Sequence, residues 1–219
     1  GQTGPPPPPG GGPPRRLDEA RALFWDDEHG GFFATGCDVQ GDLLVRLKED
    51  YDGAEPAGGS CLALAAVRLA GWEEGRAAEQ LRTVARRTLA AFGTSLAKAP
   101  VTVPLAATAA WLLEQPPLHL ILVVGSSAAA ATRRDELLRR LREQPLPRYA
   151  YVLSVPAADL AATRAPTDSV VAAVPWLADS LPPLADEQDG VALCVCADFA
   201  CRRPATTDDE VQQVLADLQ

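Results

Sequence analysis

The 219-residue chain has no methionine and no asparagine, a single isoleucine (Ile121) and only two lysines, Lys48 and Lys98. These residue types share AT-rich codons, and alanine, arginine, proline, glycine and leucine fill their places, which indicates a GC-biased coding region. An ordinary translation product starts with methionine. We therefore expect the sequence to be a fragment of a longer protein or an incomplete gene model.

Long apolar runs and basic clusters are also missing. No apolar stretch approaches the ~20 residues that span a bilayer, and the proline- and glycine-rich N-terminus has no apolar core of a signal peptide. Net charge is −9 with a pI near 4.7, which is unfavourable for a surface that binds a phosphate backbone. We expect no membrane segment and no nucleic-acid partner, and the compartment stays open.

The number and spacing of the cysteines argue against a disulfide framework and against a structural zinc site. Five cysteines do not make a paired disulfide framework. Cys194, Cys196 and Cys201 lie close together, but a structural zinc site needs four ligands and no fourth one is near, so we expect no metal. A disulfide between Cys196 and Cys201 requires that the turn between them brings their Cβ atoms together; the alternative is buried free thiols.

No cofactor is expected either. The segment from Val124 to Ser127 ends an apolar run before a helix, which is the position of a phosphate-binding loop. It lacks both the glycine spacing of a dinucleotide site and the Gly-Lys of a P-loop.

What is present divides the chain into three parts. Residues 1–14 are rich in proline and glycine and are expected to be disordered. Residues 15–115 show helical periodicity. The predicted helices are Arg15–Trp25, Cys61–Ala70, Arg76–Phe92 and Pro104–Glu114, with a short hairpin over Phe32–Leu47 that turns at Gln40-Gly41.

Residues 116–219 have a different period, with apolar runs between helices. Strands are predicted at Leu118–Val124, Tyr149–Ser154 and Val191–Cys196, and helices at Thr132–Glu143 and after Thr207, where Thr207 and Glu210 form a capping box. A short strand or helical turn is predicted within Val170–Leu181. Apolar strands separated by helices favour a small parallel α/β subdomain.

The densest polar stretch is RLKEDYDGAEPAGGS, Arg46 to Ser60. Arg46 and Lys48 alternate along an extended run and so should share a face. Asp52 and Glu55 follow in a turn that Gly53 permits, and Ser60 is the predicted N-cap of the next helix. We expect Arg46, Lys48, Asp52 and Glu55 to form a polar site in which a cation reaches a carboxylate; a salt-bridged structural loop is the alternative.

A weaker candidate set is Asp26, Glu28 and His29. Asp26, Glu28 and Asp52 carry carboxylates, the group that glycoside hydrolysis uses as acid and as base or nucleophile. A histidine needs a positioned partner before it becomes a catalyst, so His29 and His119 are interpreted as surface or structural residues. The catalytic residues therefore stay unassigned.

Three segments in one order carry a resemblance: WDDEHGGFFAT from Trp25, LLVRLKEDYDGAEP from Leu43 and CADFACRRPATTDDE from Cys196. From about Leu17 onward the chain resembles the thioredoxin-domain-containing family whose members carry a six-hairpin α/α toroid like that of N-acylglucosamine 2-epimerase. In place of the family's serine and asparagine, this chain has Ala57 and Gly59.

The resemblance implies a mainly α fold with a small α/β part. The helical half would be the last hairpins of an incomplete α/α toroid, followed by the α/β subdomain. The thioredoxin-like domain and the other hairpins would be its partners, beside an unidentified protein. For the family's vertebrate members, the implied function is a non-catalytic scaffold with a regulatory role in germ-cell differentiation. The alternative is a carbohydrate-active enzyme, an epimerase or hydrolase, in the full-length protein, because fold alone does not fix function.

Overall fold

The computed structural model describes residues 13–39, 45–143, 146, 149–161, 169–184 and 188–218. The chain divides into two compact units, Gly1–Gln115 and Pro116–Gln219. We call them the helical unit and the sheet unit. The expected disorder of residues 1–12 and the turn at Gln40-Gly41 lie outside the described residues, whereas Pro13 and Pro14 already belong to the first helix.

The helical unit consists of helices, and a long connection that includes residues 45–53 joins the first two. The helices are α1 (Pro13–Phe24), α2 (Gly58–Ala70), α3 (Gly75–Ala91), α4 (Gly93–Lys98) and α5 (Pro104–Leu113), with a 3-10 turn at Pro100–Thr102. Alanines at the contact between α2 and α5, such as Ala63, Ala66, Ala106 and Ala109, are fully buried. Small side chains let the helix axes approach closely. Close backbone packing therefore contributes to this core alongside the larger apolar side chains.

The start of α2 differs from the prediction. The helix begins at Gly58 with Ala57 as its N-cap residue, and no side chain of that residue caps it. Ser60 is therefore inside the helix, where its side chain is fully buried, and the N-cap assignment is wrong. The reason is that the Asp52 carboxylate, five residues upstream, binds the Ala57 amide and so starts the helix earlier than the first hydroxyl.

The sheet unit contains β1 (Leu118–Val124), α6 (Ala128–Glu143), β2 (Tyr151–Pro156), α7 (Ala157–Ala161), α8 (Val170–Ala173), α9 (Trp176–Ser180), β3 (Val191–Ala197), β4 (Ala200–Cys201) and α10 (Asp208–Asp217). The strand order is β2-β1-β3-β4. β1 and β2 are parallel, while β3 runs antiparallel to β1. A mainly α fold with a small α/β part is confirmed, but the sheet is mixed, because the chain returns antiparallel after α9.

Strand β1 is buried along its whole length. Leu118, Leu120 and Leu122 pack with Leu137 and Leu141 of α6 in one core cluster. His119, Ile121 and Val123 alternate with them and so point to the opposite face, where they are also buried. A strand covered on both faces explains the uninterrupted apolar run in the sequence.

The last helix starts as the sequence predicts. The Thr207 hydroxyl accepts a hydrogen bond from the Glu210 amide, and the Glu210 carboxylate accepts one from the Thr207 amide. This reciprocal capping box is confirmed.

Candidate functional site

The candidate loop runs through residues 45–53 without regular secondary structure. Exposure alternates along its first part: Val45 and Leu47 are exposed, whereas Arg46 and Lys48 are half-buried. An extended backbone places successive side chains on opposite sides. The two cations therefore share the inner side of the loop, as the sequence predicts, and two apolar side chains face outward.

Arg46 is bound to backbone carbonyls. Its Nε donates to the Thr35 carbonyl oxygen at 3.0 Å, and its second terminal nitrogen donates to the Thr35 and Leu23 carbonyl oxygens at 2.6 and 3.0 Å. The guanidinium carbon lies 4.2 Å from the centre of the Phe33 ring, within cation–π range. Arg46 thus fastens the loop to the end of α1 and to the segment that follows it.

Lys48 makes the ion pair of this region. Its Nζ donates to Asp26 Oδ2 and to the Gly30 carbonyl oxygen, both at 2.6 Å. The other carboxylate oxygen of Asp26 accepts hydrogen bonds from the Glu28 and His29 amides at 3.0 Å each. The Lys48 hydrogen bond, followed by that of the His29 amide, lowers the pKa of Asp26 to about 2, because both stabilise its ionised form.

Asp52 binds the starts of two helices. Its Oδ1 accepts from the Ala57 amide at 2.9 Å, and its Oδ2 accepts from the Leu105 amide at 2.8 Å. Its own amide donates to the Thr102 carbonyl oxygen at 2.9 Å. One carboxylate therefore satisfies donors at the N-termini of α2 and α5, where backbone amides lack partners within the helix and negative charge is favoured.

These contacts change the predicted grouping. The expected salt bridge from Arg46 or Lys48 to Asp52 or Glu55 is wrong: within residues 13–39 and 45–143, Lys48 pairs with Asp26 and Asp52 binds amides. Glu55 is exposed. The four candidate side chains therefore do not form one cluster, and Asp26 enters the site from outside the loop.

The second candidate set is also divided. The side chains of Glu28 and His29 are 84 and 72% exposed, and His29 Nδ1 lies 3.7 Å from Asp26 Oδ2. A glycosidase acid needs a raised pKa so that it holds its proton near neutral pH. The pKa of Asp26 is shifted the other way. Asp26 thus lacks the electrostatics of a general acid.

A cleft of about 360 Å³ lies between α1 and α3, lined by residues that include Arg21, Trp25, Asp27 and Arg87. The Arg87 guanidinium is 5.1 Å from the Trp25 ring centre and donates to the Asp27 carbonyl oxygen at 2.7 Å. These contacts join α3 to the turn after α1.

The cysteines fall into three environments. Cys196 and Cys201 form a disulfide, Cys194 is a buried free thiol, and Cys37 and Cys61 are exposed. Burial raises the pKa of the Cys194 thiol to about 11, so it stays protonated and unreactive at neutral pH. Across the described parts of the chain, no three histidine, cysteine or acidic side chains are grouped as a metal site would require. No helix among those residues is long and apolar enough to cross a bilayer.

Comparison with known proteins gives one consistent name. The human protein called spermatogenesis-associated protein 20 is 28% identical over 198 residues, which is 90% of this chain and 23% of that protein. This chain is similar to spermatogenesis-associated protein 20. The rat protein of that name is 28% identical over 88% of the chain and the mouse protein 44% identical over 24% of it. The predicted resemblance is confirmed.

The chain spans less than a quarter of the length of these relatives. No family model matches it, and no solved structure does. The similarity to spermatogenesis-associated protein 20 therefore rests on sequence.

Proposed function

We propose that this chain serves as a non-catalytic scaffold within a longer protein like spermatogenesis-associated protein 20, with a regulatory role in germ-cell differentiation. One observation carries the proposal. The inward polar groups of the candidate loop are each bound to groups of the same chain: Arg46 to carbonyls, Lys48 to Asp26, and Asp52 to two amides.

The contacts of these residues are unfavourable for catalysis. A general acid or base needs a pKa near the working pH and a position that reaches substrate. Asp26 has a pKa of about 2, and both oxygens of Asp52 are held by helix amides. If Asp26 or Asp52 took part in a reaction, the contacts that fasten the loop would break. A scaffold role keeps these contacts intact.

The outward side of the loop suggests what the scaffold binds. Val45, Leu47 and Tyr51 are 66, 68 and 63% exposed. Apolar side chains grouped on one segment mark protein contact surfaces more often than isolated ones do. Because the relatives are more than four times as long as their aligned part, we propose that this side contacts the remainder of the longer protein, its thioredoxin-like domain and other toroid hairpins.

Calorimetry of the purified chain with neutral monosaccharides and N-acylated amino sugars tests the non-catalytic role. We expect no binding heat and no epimerase or hydrolase turnover. Saturable binding that Arg46→Gln abolishes, with the fold intact by circular dichroism, would instead support the carbohydrate-active alternative.

A second measurement tests the contact surface. In the longer protein, Val45→Ser with Leu47→Ser should lower the melting temperature, while the same double substitution in the isolated chain should leave stability nearly unchanged. Equal effects in both contexts would contradict the proposed contact.

A further inference from the structure

The hairpin between β3 and β4 has an unusual turn. Cys196 pairs with Cys201 and Ala197 with Ala200, so the loop is only Asp198 and Phe199. Their φ angles are 50° and 63°. Two-residue hairpin loops of type I′ need positive φ at both positions and are normally built from asparagine, aspartate and glycine. Phenylalanine in the second position is a strained choice, since bulky L-residues rarely adopt positive φ.

The Phe199 ring gains contacts that offset this strain. It lies 5.6 Å from the His119 ring and 5.2 Å from the Trp176 ring, measured between ring centres. His119 also stacks on Tyr151 at 5.1 Å and lies 5.0 Å from Trp176. His119 is fully buried, whereas Phe199 is only half-buried. Phe199 therefore forms part of the cover between His119 and solvent.

The disulfide closes the base of this turn. Cys196 and Cys201 are register partners directly before and after Ala197–Ala200. On β1, His119 is the register partner of Cys196. Beyond the disulfide, the turn is tied by the Asp198 amide to the Pro117 carbonyl oxygen at 3.0 Å and by the Arg202 amide to the Val195 carbonyl oxygen at 2.9 Å. The disulfide adds a covalent link to the β3–β4 ladder at the base of this strained turn.

We propose that the Cys196–Cys201 disulfide is a redox-controlled latch that holds Phe199 over His119, and that a small dithiol reductant opens it. In the oxidised chain the strained turn is closed and His119 is shielded. In the reduced chain the turn relaxes to negative φ, Phe199 leaves the ring cluster, and His119 becomes accessible to solvent.

The exchange begins at the accessible sulfur. Cys196 is fully buried and Cys201 is partly exposed. A thiolate of the dithiol attacks Cys201 Sγ, the S–S bond breaks, and Cys196 leaves as a thiolate that takes a proton. The second thiol of the reductant then attacks the mixed disulfide and releases Cys201, which takes the other proton. Two electrons pass to the protein, and the reductant ends as a disulfide.

The two histidines make a direct test possible. His29 is 72% exposed and serves as an internal reference for His119. The chain is left oxidised, or reduced with dithiothreitol and alkylated with iodoacetamide, then treated with diethyl pyrocarbonate. Mass spectrometry gives the labelling rate at each histidine. We expect reduction to raise the ratio of His119 to His29 labelling by about tenfold or more, since a lost cross-link frees local opening.

Two variants locate the effect. Phe199→Ala in the oxidised chain should raise His119 labelling without reduction, because it removes the cover and keeps the disulfide. Cys37→Ala should behave as wild type, because Cys37 is an exposed free thiol elsewhere.

Tryptophan fluorescence gives an independent measurement. The emission of Trp176, assigned by its loss in Trp176→Phe, should shift to longer wavelength on reduction.

Three results would overturn the latch. One is a non-reduced chain in which alkylation counts five free thiols. Another is a reduced and alkylated chain whose His119 labelling and Trp176 emission are unchanged. The third is fast labelling in the reduced chain that Phe199→Ala does not reproduce in the oxidised one.

Discussion

The candidate loop of the helical unit and the aromatic cluster of the sheet unit are held together by different forces. In the loop, Arg46, Lys48 and Asp52 reach carbonyls, a carboxylate and amides from half-buried positions. In the cluster, a fully buried histidine packs among rings beside a disulfide. The loop depends on a few charge-assisted bonds, which substitution or acid can remove one at a time. The cluster depends on burial and a covalent bond, which respond to packing and to reductant.

The largest expected effect comes from the core of the sheet unit. Leu120→Ala truncates a fully buried side chain of β1 and should lower the free energy of unfolding by about 3 kcal/mol, since it leaves a cavity in a strand covered on both faces. Leu47→Ala makes the same chemical change at a 68% exposed position of the loop and should cost less than about 0.5 kcal/mol. Urea unfolding of both variants measures this. Similar losses would mean that the loop buries Leu47 in solution.

A single carboxylate should produce the next effect. Asp52→Ala leaves the Ala57 and Leu105 amides without their acceptor, and the expected loss of stability is about 2 kcal/mol, roughly 1 kcal/mol for each helix start. Asp50→Ala is the matched control, because Asp50 is exposed and accepts one 3.4 Å hydrogen bond from Ser95. Hydrogen exchange should show the loss at the first turns of α2 and α5. Equal effects of the two substitutions would remove Asp52 from its capping role.

The role of Asp52 also marks where sequence reasoning fails. Strand β1 and the Thr207–Glu210 box were predictable because their signals are local: an apolar run, and two residues three positions apart. The Leu105 amide is 53 residues from Asp52, and Asp26 is 22 residues from Lys48. No spacing rule links residues that far apart, so the sequence did not reveal these pairings.

The mixed sheet was also not predictable from local sequence. The direction of β3 depends on the path of α7, α8 and α9, whose alanine- and proline-rich sequence has no clear period. Likewise, the sequence places His119 within the apolar run of β1, but its contact with Phe199, 80 positions later, requires the register of β1 against β3. Nonlocal packing, and not local propensity, determines both features.

The third prediction concerns a bond that the sequence did reveal. Thr207→Ala removes the side-chain acceptor of the capping box and should cost about 1 kcal/mol of stability. Thr108→Ala is the matched control: its hydroxyl donates to the Pro104 carbonyl within α5, so alanine there should be neutral or slightly stabilising. Thermal unfolding of both variants tests this. A neutral Thr207→Ala would mean that Glu210 alone maintains the helix start.

The smallest expected effect is the pH dependence of the Asp26–Lys48 pair. The folded-state pKa of Asp26 is about 2, below its ordinary value of 3.8. A lowered pKa means that the ionised carboxylate stabilises the fold above pH ~4, and that this contribution is lost as pH falls from ~4 to ~2. The stability difference between wild type and Asp26→Asn should therefore shrink across that window. It should be smaller in 1 M salt, which screens accessible charges.

Lys48→Met separates the ion pair from the amide contacts of Asp26. It keeps an aliphatic side chain against Phe33 but removes the strongest cause of the shift, so the pKa of Asp26, followed by the carboxyl carbon signal in NMR, should rise from about 2 toward 3.8. It should not rise fully, because the Glu28 and His29 amides still donate to Asp26 Oδ1. An unchanged pKa in Lys48→Met would show that these amides alone hold the carboxylate, and that the candidate loop is anchored here by Arg46 and Asp52 without an ion pair.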